Sequence, residues 1–242
     1  MASYDNVRHI APADERGTMM LIMLDNVLSP TELEQTRAAM ERAQYVSGAG
    51  TAGDGSRGRK NNLQIGERDP SLPGLQEVVV NALSRHQVFQ FLAVPKHLMP
   101  PMFNRYDVGM YYHAHVDFSL VGAPNQKIRT DLAMTLFLSR REEYEGGELV
   151  VEGADGAQVI KLDINQAIVY PAGQLHRANP VTRGSRLAAI VTIQSFIRDE
   201  AKRELLADVM RLARAVQDAA PGSEEGRLAN KIHANLLRLW AE

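Results

Sequence analysis

Between about Met99 and Ile197 the chain is a succession of short strand-forming runs broken by clusters of Gly, Pro, Asn and Asp. The runs fall at 99–107, 111–117, 131–139, 147–153, 157–163, 166–171, 176–181 and 185–197. Gly122-Ala123-Pro124-Asn125, Gly146-Gly147, Gly153-Ala154-Asp155-Gly156, Pro171-Ala172-Gly173 and Arg183-Gly184-Ser185 punctuate them. These residue types tolerate the backbone angles that tight turns require. Strands this short cannot each bury a face alone, so a run of about eight must close on itself as a sandwich or barrel, and a jelly roll has eight.

The flanks read as helical. Met19–Asp25 is a short buried strand, after which Ser29-Pro30-Thr31-Glu32 supplies an N-cap, a proline at the first helical position and a capping-box glutamate. That helix is expected to run to about Ala43, and residues 47–60, rich in Gly and polar groups, form a loop. Leu75, Val78, Val79, Leu83, Val88 and Phe91 give a helical stripe that predicts one helix over about 74–93. Beyond residue 199 the pattern returns to helix through Leu205, Leu206, Val209 and Met210. After a break at Ala220-Pro221-Gly222-Ser223 it resumes through Leu228, Ile232, Leu236 and Trp240. The expected organisation is a catalytic domain over 1–198, with its β-core at about 99–197 and N-terminal helices packed on it, followed by a helical region over 199–242.

Composition narrows the chemistry. Among 242 residues there is no cysteine, which excludes disulfides, Cys-ligated iron–sulfur clusters, thiolate zinc sites and cysteine nucleophiles. Any metal must be held by N and O ligands. A formal net charge of −2 offers no basic field for nucleic acid or anionic lipid. The apolar run Met19–Leu24 is far short of the roughly 18 residues that span a bilayer, and the N-terminus lacks the basic-then-apolar layout of a signal peptide. Neither nucleic acid nor membrane is expected as a partner, and the cytoplasm is the default location.

One segment carries a metal-ligand pattern. In Tyr111-Tyr112-His113-Ala114-His115-Val116-Asp117, residues two apart share a face of a strand, so His115 and Asp117 can offer an imidazole nitrogen and a carboxylate oxygen to one ion. His176, 59 residues beyond Asp117, would complete a 2-His-1-carboxylate set, which suits non-haem Fe(II) and leaves positions open for substrates. The plain alternative is a hydrogen-bonded surface pair. His113 shares the face, but i and i+4 on a strand lie about 13 Å apart. The pair is therefore His115 with Asp117 or His113 with His115; the first supplies the carboxylate that Fe(II) sites prefer, which leaves His113 a rim residue, either solvent-facing or touching substrate. Arg186, ten residues past His176, opens the apolar run Leu187–Val191 at the edge of a buried segment. A guanidinium there needs a partner: the far carboxylate of a 2-oxo diacid held on the metal, or an internal salt bridge such as one to Asp131.

The residues resemble the PKHD-type hydroxylases, iron(II)/2-oxoglutarate-dependent dioxygenases related to prolyl 4-hydroxylases. The resemblance covers nearly the whole chain. It runs through Thr51-Ala52-Gly53, Lys60-Asn61-Asn62, Phe103-Asn104-Arg105-Tyr106, His115-Val116-Asp117, Arg129-Thr130-Asp131-Leu132, Thr135-Leu136-Phe137-Leu138 and Gly146-Gly147-Glu148-Leu149. It continues through Tyr170-Pro171, His176-Arg177, Pro180–Arg186, Gln194-Ser195 and the closing Asn235–Glu242. The resemblance implies a mainly β fold with flanking helices: a double-stranded β-helix (jelly-roll) core plus a C-terminal helical appendage. It implies iron ligands His115, Asp117 and His176, with Arg186 anchoring 2-oxoglutarate and Tyr106 assisting, or else packing in the core. Thr135 is a weaker candidate. It further implies Fe(2+) and the co-substrate 2-oxoglutarate, which is converted to succinate and CO2 as dioxygen hydroxylates a small-molecule or peptide substrate, with L-ascorbate as an optional reductant. The chain departs from the family pattern at Ile193, where a tryptophan is usual, and at His113; both changes are expected to reshape the pocket and leave the iron set intact.

Two other patterns are set aside. Gly48–Gly53 matches the dinucleotide fingerprint GxGxxG, but that motif needs a strand before it and a helix after it, and a helix is expected to precede it here. The segment reads instead as a lid over the substrate or a solvated loop, with Arg57, Arg59 and Lys60 as contacts for an anionic substrate. Met99, Met102 and Met110 read as core filler rather than a soft-metal site. Two rival functions remain: a cupin-like Zn(II) or Mn(II) enzyme of another class, and a non-catalytic sensing module on the same fold. The amphipathic C-terminal helices also offer an apolar stripe to a second subunit, making a homo-oligomer.

Overall fold

The structure, a computed structural model, describes residues 21–51, 58–154 and 156–242. All eight expected strand runs are present among them, joined into two antiparallel sheets. The larger runs Ile22–Leu24, Ala167–Pro171, Leu132–Phe137, Arg186–Ser195, Met102–Tyr106, Leu63–Ile65, Tyr45–Ser47, with Pro95–Leu98 added beside Arg186–Ser195. The smaller runs Gly156–Ile160, Leu149–Gly153, His176–Ala178, Tyr111–His115, Lys60–Asn61. Together they form the jelly-roll core.

The larger sheet is covered on both faces, which accounts for its continuous apolar runs. In Leu132–Phe137 all six residues are buried. Leu132, Met134 and Leu136 pack with Val79, Leu83 and Phe89 of the helical layer. Ala133 and Phe137 face inward and join Leu149, Val151 and Ile160 of the opposing sheet. Arg186–Ser195 alternates in the same way: Ala189, Val191 and Ile193 meet the helices, which leaves Arg186, Ile190 and Thr192 facing the interior. Ile193 is thus fully buried on the helical side, and the expectation that it reshapes the pocket is not met.

Helix α1 (Pro30–Arg42) begins at the capping box read from the sequence: Glu32 N–H donates to Ser29 Oγ, and Ser29 N–H donates to Glu32 Oε2 at 2.8 Å. The single helix expected over 74–93 is two, α2 (Leu72–Arg85) and α3 (Gln87–Ala93). His86 sits extended between them, its ring capping Phe89 N–H through Nδ1 and reaching Asp25 O through Nε2 at 3.1 Å. The apolar stripe continues across this break, which hides it from periodicity. Helices α4 (Glu200–Ala219) and α5 (Glu224–Trp240) match the expected pair. Arg203 docks α4 on the body by donating to the carbonyls of Ile197 (2.7 Å) and Arg198 (2.9 Å). None of the described helices is long and apolar enough to cross a membrane.

At its described ends the 47–60 segment is not loop. Tyr45–Ser47 is a strand, Gly48–Thr51 a 3-10 turn and Lys60–Asn61 a second strand. A strand, not a helix, therefore precedes the GxGxxG pattern, and its first four residues form the 3-10 turn. Residues 52–57 lie outside the described residues, as do residues 19–20 of the first expected strand and 155 of the turn after Gly153; Arg57 and the end of the glycine pattern fall among them.

Candidate active site

His115 ends the strand Tyr111–His115, and His176 opens the strand directly opposite, so the two are cross-strand partners on one face. Cross-strand Cβ atoms lie about 5 Å apart, and the imidazole centroids are 4.2 Å apart. Asp117 comes from the extended segment just past the strand rather than from the strand itself. Its Oδ1 is 3.9 Å from His115 Nε2 and 3.8 Å from His176 Nε2. These distances are too long for hydrogen bonds, yet all three ligand atoms lie within 4.8 Å of one another. No other group of three or more His, Asp or Glu side chains among the described residues is placed to hold a metal.

The backbone fixes which nitrogen is offered. Nδ1 of His115 lies 2.8 Å from the carbonyl of His113, and Nδ1 of His176 lies 2.9 Å from that of Gln174. A carbonyl can only accept, so each Nδ1 carries the proton and each Nε2 presents a lone pair. Such a bond orients a ligating imidazole. Tyr112 stacks on His115 at 3.5 Å, and Tyr170 meets His176 edge-on at 5.1 Å. Burial, reinforced by the neighbouring His176, pulls the His115 pKa down to about 4, keeping the ring neutral. Burial pushes the Asp117 carboxyl above its ordinary range, against the pull of His176 and Lys60.

The triad opens into a cavity of about 400 Å³ between the sheets. Arg186 lines it from the larger sheet and is only 2% exposed. Its guanidinium lies 5.2 Å from the ring centroids of Tyr106 and Phe137, and its Nε is buried without a hydrogen-bond partner. The alternative partner read from the sequence is taken: Asp131 binds Arg129 at 2.6 and 3.1 Å and accepts Ser195 N–H at 2.8 Å. Among the described residues no carboxylate pairs with Arg186. Gly147, in the left-handed region at φ +66°, makes room for it, since a Cβ there would meet Arg186 Cδ at 3.1 Å.

Tyr106 lies opposite Arg186 in the sheet, buried on the cavity wall, and Thr135 lines the same cavity. His113 is exposed and does not line it. Met99 and Met102 prove to be cavity wall rather than core filler, while Met110 packs beside Tyr106. Sequence reasoning gave no site role to Tyr112, Tyr170, Gln64 or Asn104, all of which line the cavity. The available signal for Asn104 and Tyr170 was their place within the family-like motifs and for Tyr112 its position three residues before His115, whereas Gln64 carried none.

Known proteins resemble this chain over most of its length. The model of the 2OG-Fe(II) oxygenase superfamily matches residues 101–194. A PKHD-type hydroxylase of Methylobacterium nodulans is 40% identical over 226 residues, covering 92% of this chain and all of that protein. One from Gloeothece citriformis is 41% identical over 223 residues with the same coverage. A solved oxidoreductase of the 2OG-Fe(II) oxygenase family from Burkholderia pseudomallei shares the fold at a TM-score of 0.54 and 18% identity, over 72% of this chain and 85% of that one. The chain belongs to the PKHD-type hydroxylases, iron(II)- and 2-oxoglutarate-dependent dioxygenases.

Proposed function

We propose that His115, Asp117 and His176 hold the iron, that Arg186 with Tyr106 anchors 2-oxoglutarate, and that the enzyme hydroxylates a small-molecule or peptide substrate. The observation that carries this reading is the buried Arg186 guanidinium, which has no carboxylate partner among the described residues and lines the same cavity as the triad. A buried cation is costly unless paired. The distal carboxylate of 2-oxoglutarate is the partner that Arg186 requires. The donor set fits iron(II), with two neutral imidazoles presenting Nε2 and one carboxylate oxygen.

Iron(II), when bound, supplies dioxygen activation coupled to decarboxylation of 2-oxoglutarate to succinate and CO2. The chain's own residues do the rest. The carbonyls of His113 and Gln174 hold the Nδ1 protons, so both imidazoles bind through Nε2. Tyr112 fixes the plane of His115. Arg186 orients the co-substrate by its far end, and the Tyr106 and Phe137 rings beneath the guanidinium keep water from competing for it.

The test is succinate formation with Fe(II), 2-oxoglutarate and a panel of candidate substrates, alongside anaerobic Fe(II) titration. Wild-type protein is expected to bind one iron and release succinate. His176→Ala is expected to lose both, and Arg186→Met to keep iron while losing 2-oxoglutarate affinity. Turnover retained in His176→Ala would reject the ligand assignment.

A further inference from the structure

A second cation lines the cavity and has no part in the co-substrate site proposed above. Lys60 is 8% exposed and faces the cavity from the edge of the smaller sheet. Its Nζ donates to Thr51 Oγ1 at 2.8 Å and lies 5.0 Å from the Tyr112 ring centroid. Among the described residues no carboxylate forms an ion pair with it. Arg177, which also lines the cavity, is already paired with Glu152 at 3.0 Å.

Lys60 and Arg186 serve different parts of the cavity. The inner face of Met102–Tyr106 presents Met102, Asn104 and Tyr106 in succession. Arg186 stands opposite Tyr106. The Lys60 side chain leads through Thr51 to Gln64 (3.0 Å) and from Gln64 to Asn104 (2.8 Å), one pleat repeat, about 7 Å, from Tyr106. Past Asn104 the wall turns apolar at Met99, Pro100, Met102 and Phe118. This end therefore offers one buried ammonium hydrogen-bonded to neutral polar groups, with the Asp117 carboxyl within electrostatic range, and then an apolar surface.

We propose that Lys60 is the anion-recognising residue of the prime-substrate subsite, and that the substrate is a carboxylate whose apolar body lies along Met99, Met102 and Phe118. The inference rests on the iron/2-oxoglutarate reading, which allots Arg186 to the co-substrate. A single ammonium that forms no ion pair among the described residues, with Asp117 felt only at longer range, matches one negative charge, whereas a phosphate dianion calls for more donors than this end supplies. The reaction balances as R–H + O2 + 2-oxoglutarate giving R–OH + succinate + CO2, with the carboxylate held by Lys60 left unchanged.

The test uses iron-loaded protein, kept anaerobic and saturated with 2-oxoglutarate so that Arg186 is occupied. It is titrated calorimetrically with 4-phenylbutyrate and with 4-phenylbutyramide. The acid is expected to bind at least about ten-fold more tightly, which is about 1.4 kcal/mol. Lys60→Arg should keep that preference and Lys60→Met should lose it, with thermal melts showing both variants folded. Equal affinity of acid and amide for the wild-type protein, undetectable binding of both included, overturns the proposal. So does a preference that survives Lys60→Met. If Lys60→Met weakens 2-oxoglutarate rather than phenylbutyrate, Lys60 belongs to the co-substrate: the inference falls and the iron/2-oxoglutarate reading stands. If the wild-type protein binds no 2-oxoglutarate, that parent reading fails, and the acid–amide comparison without 2-oxoglutarate still decides Lys60 by the same criterion.

Discussion

The two sheets contribute to the site in different ways. In the larger sheet Leu132–Phe137 is buried at every position, and neighbouring Arg186 is held among Tyr106, Phe137 and Gly147. In the smaller sheet Tyr111–His115 has no fully buried residue, and Asp117 lies beyond its end. The proposed anchor for the co-substrate is thus built into the core of the larger sheet, while the rings of His115 and His176, also largely buried, stand where the smaller sheet meets the cavity. Positioning in the larger sheet depends on packing. In the smaller it depends on backbone hydrogen bonds to each Nδ1 and on a cross-strand pairing.

The largest effect should come from the smaller sheet. His176→Ala removes one of three proposed ligands, and Fe(II) affinity is expected to fall by more than about 100-fold, beyond the usual cost of losing an outer-shell partner. Anaerobic Fe(II) titration measures it. Comparable affinity in the variant would mean that the triad holds no iron.

Arg186→Met probes the buried sheet and should separate stability from binding. It deletes a guanidinium without a carboxylate partner, so the protein without ligand is expected to melt at the same temperature or higher; swaps of buried ionic groups for apolar ones are often neutral or stabilising by about 1–4 kcal/mol. Affinity for 2-oxoglutarate should fall by about 2–5 kcal/mol. Added 2-oxoglutarate should therefore raise the melting temperature of the wild-type protein and not of the variant. A variant that is less stable and binds 2-oxoglutarate normally would make Arg186 a structural residue.

What the sequence made legible follows the same division. The eight runs of the β-core were readable because each carries its own turn signals, and the α1 cap because Ser29 and Glu32 are local. The short strands Tyr45–Ser47, Leu63–Ile65 and Lys60–Asn61 were not, because their pairing partners lie elsewhere in the chain and their periodicity spans too few residues. The triad was legible because His115 and Asp117 are two apart, although the pleat argument placed Asp117 on a strand that ends at His115. That Arg186 has no carboxylate partner among the described residues was not legible, since it depends on Arg129 taking Asp131. The break at His86 escaped because an extended residue between two helices need not interrupt an apolar stripe.

Between the sheets, Gly146 tests the turn that leads into Leu149–Gly153. Its φ is +69°, and a Cβ there would come within 2.1 Å of the Pro180 carbonyl oxygen, a backbone atom that cannot swing aside. Gly146→Ala is expected to destabilise the fold by about 1–3 kcal/mol from the left-handed backbone alone, read as a lowered denaturant midpoint at unchanged slope. An unshifted midpoint would show that the turn relaxes and that the pairing of Tyr144–Gly146 with Val181–Gly184 does not constrain it.

The smallest effect is expected at His113, which the register shift opposite His176–Ala178 takes off the face expected for it, so that Tyr112 and His115 share the cavity side instead. Its ring is exposed and lies outside the cavity wall. What His115 takes from this position is the backbone carbonyl, which accepts the Nδ1 proton at 2.8 Å whatever side chain is present. His113→Ala should therefore leave Fe(II) affinity within about two-fold and stability within about 0.5 kcal/mol, as for a surface substitution. A ten-fold loss of iron would mean that the ring rather than the carbonyl supports the site, and that exposure on this strand is no guide to which of its histidines binds the metal.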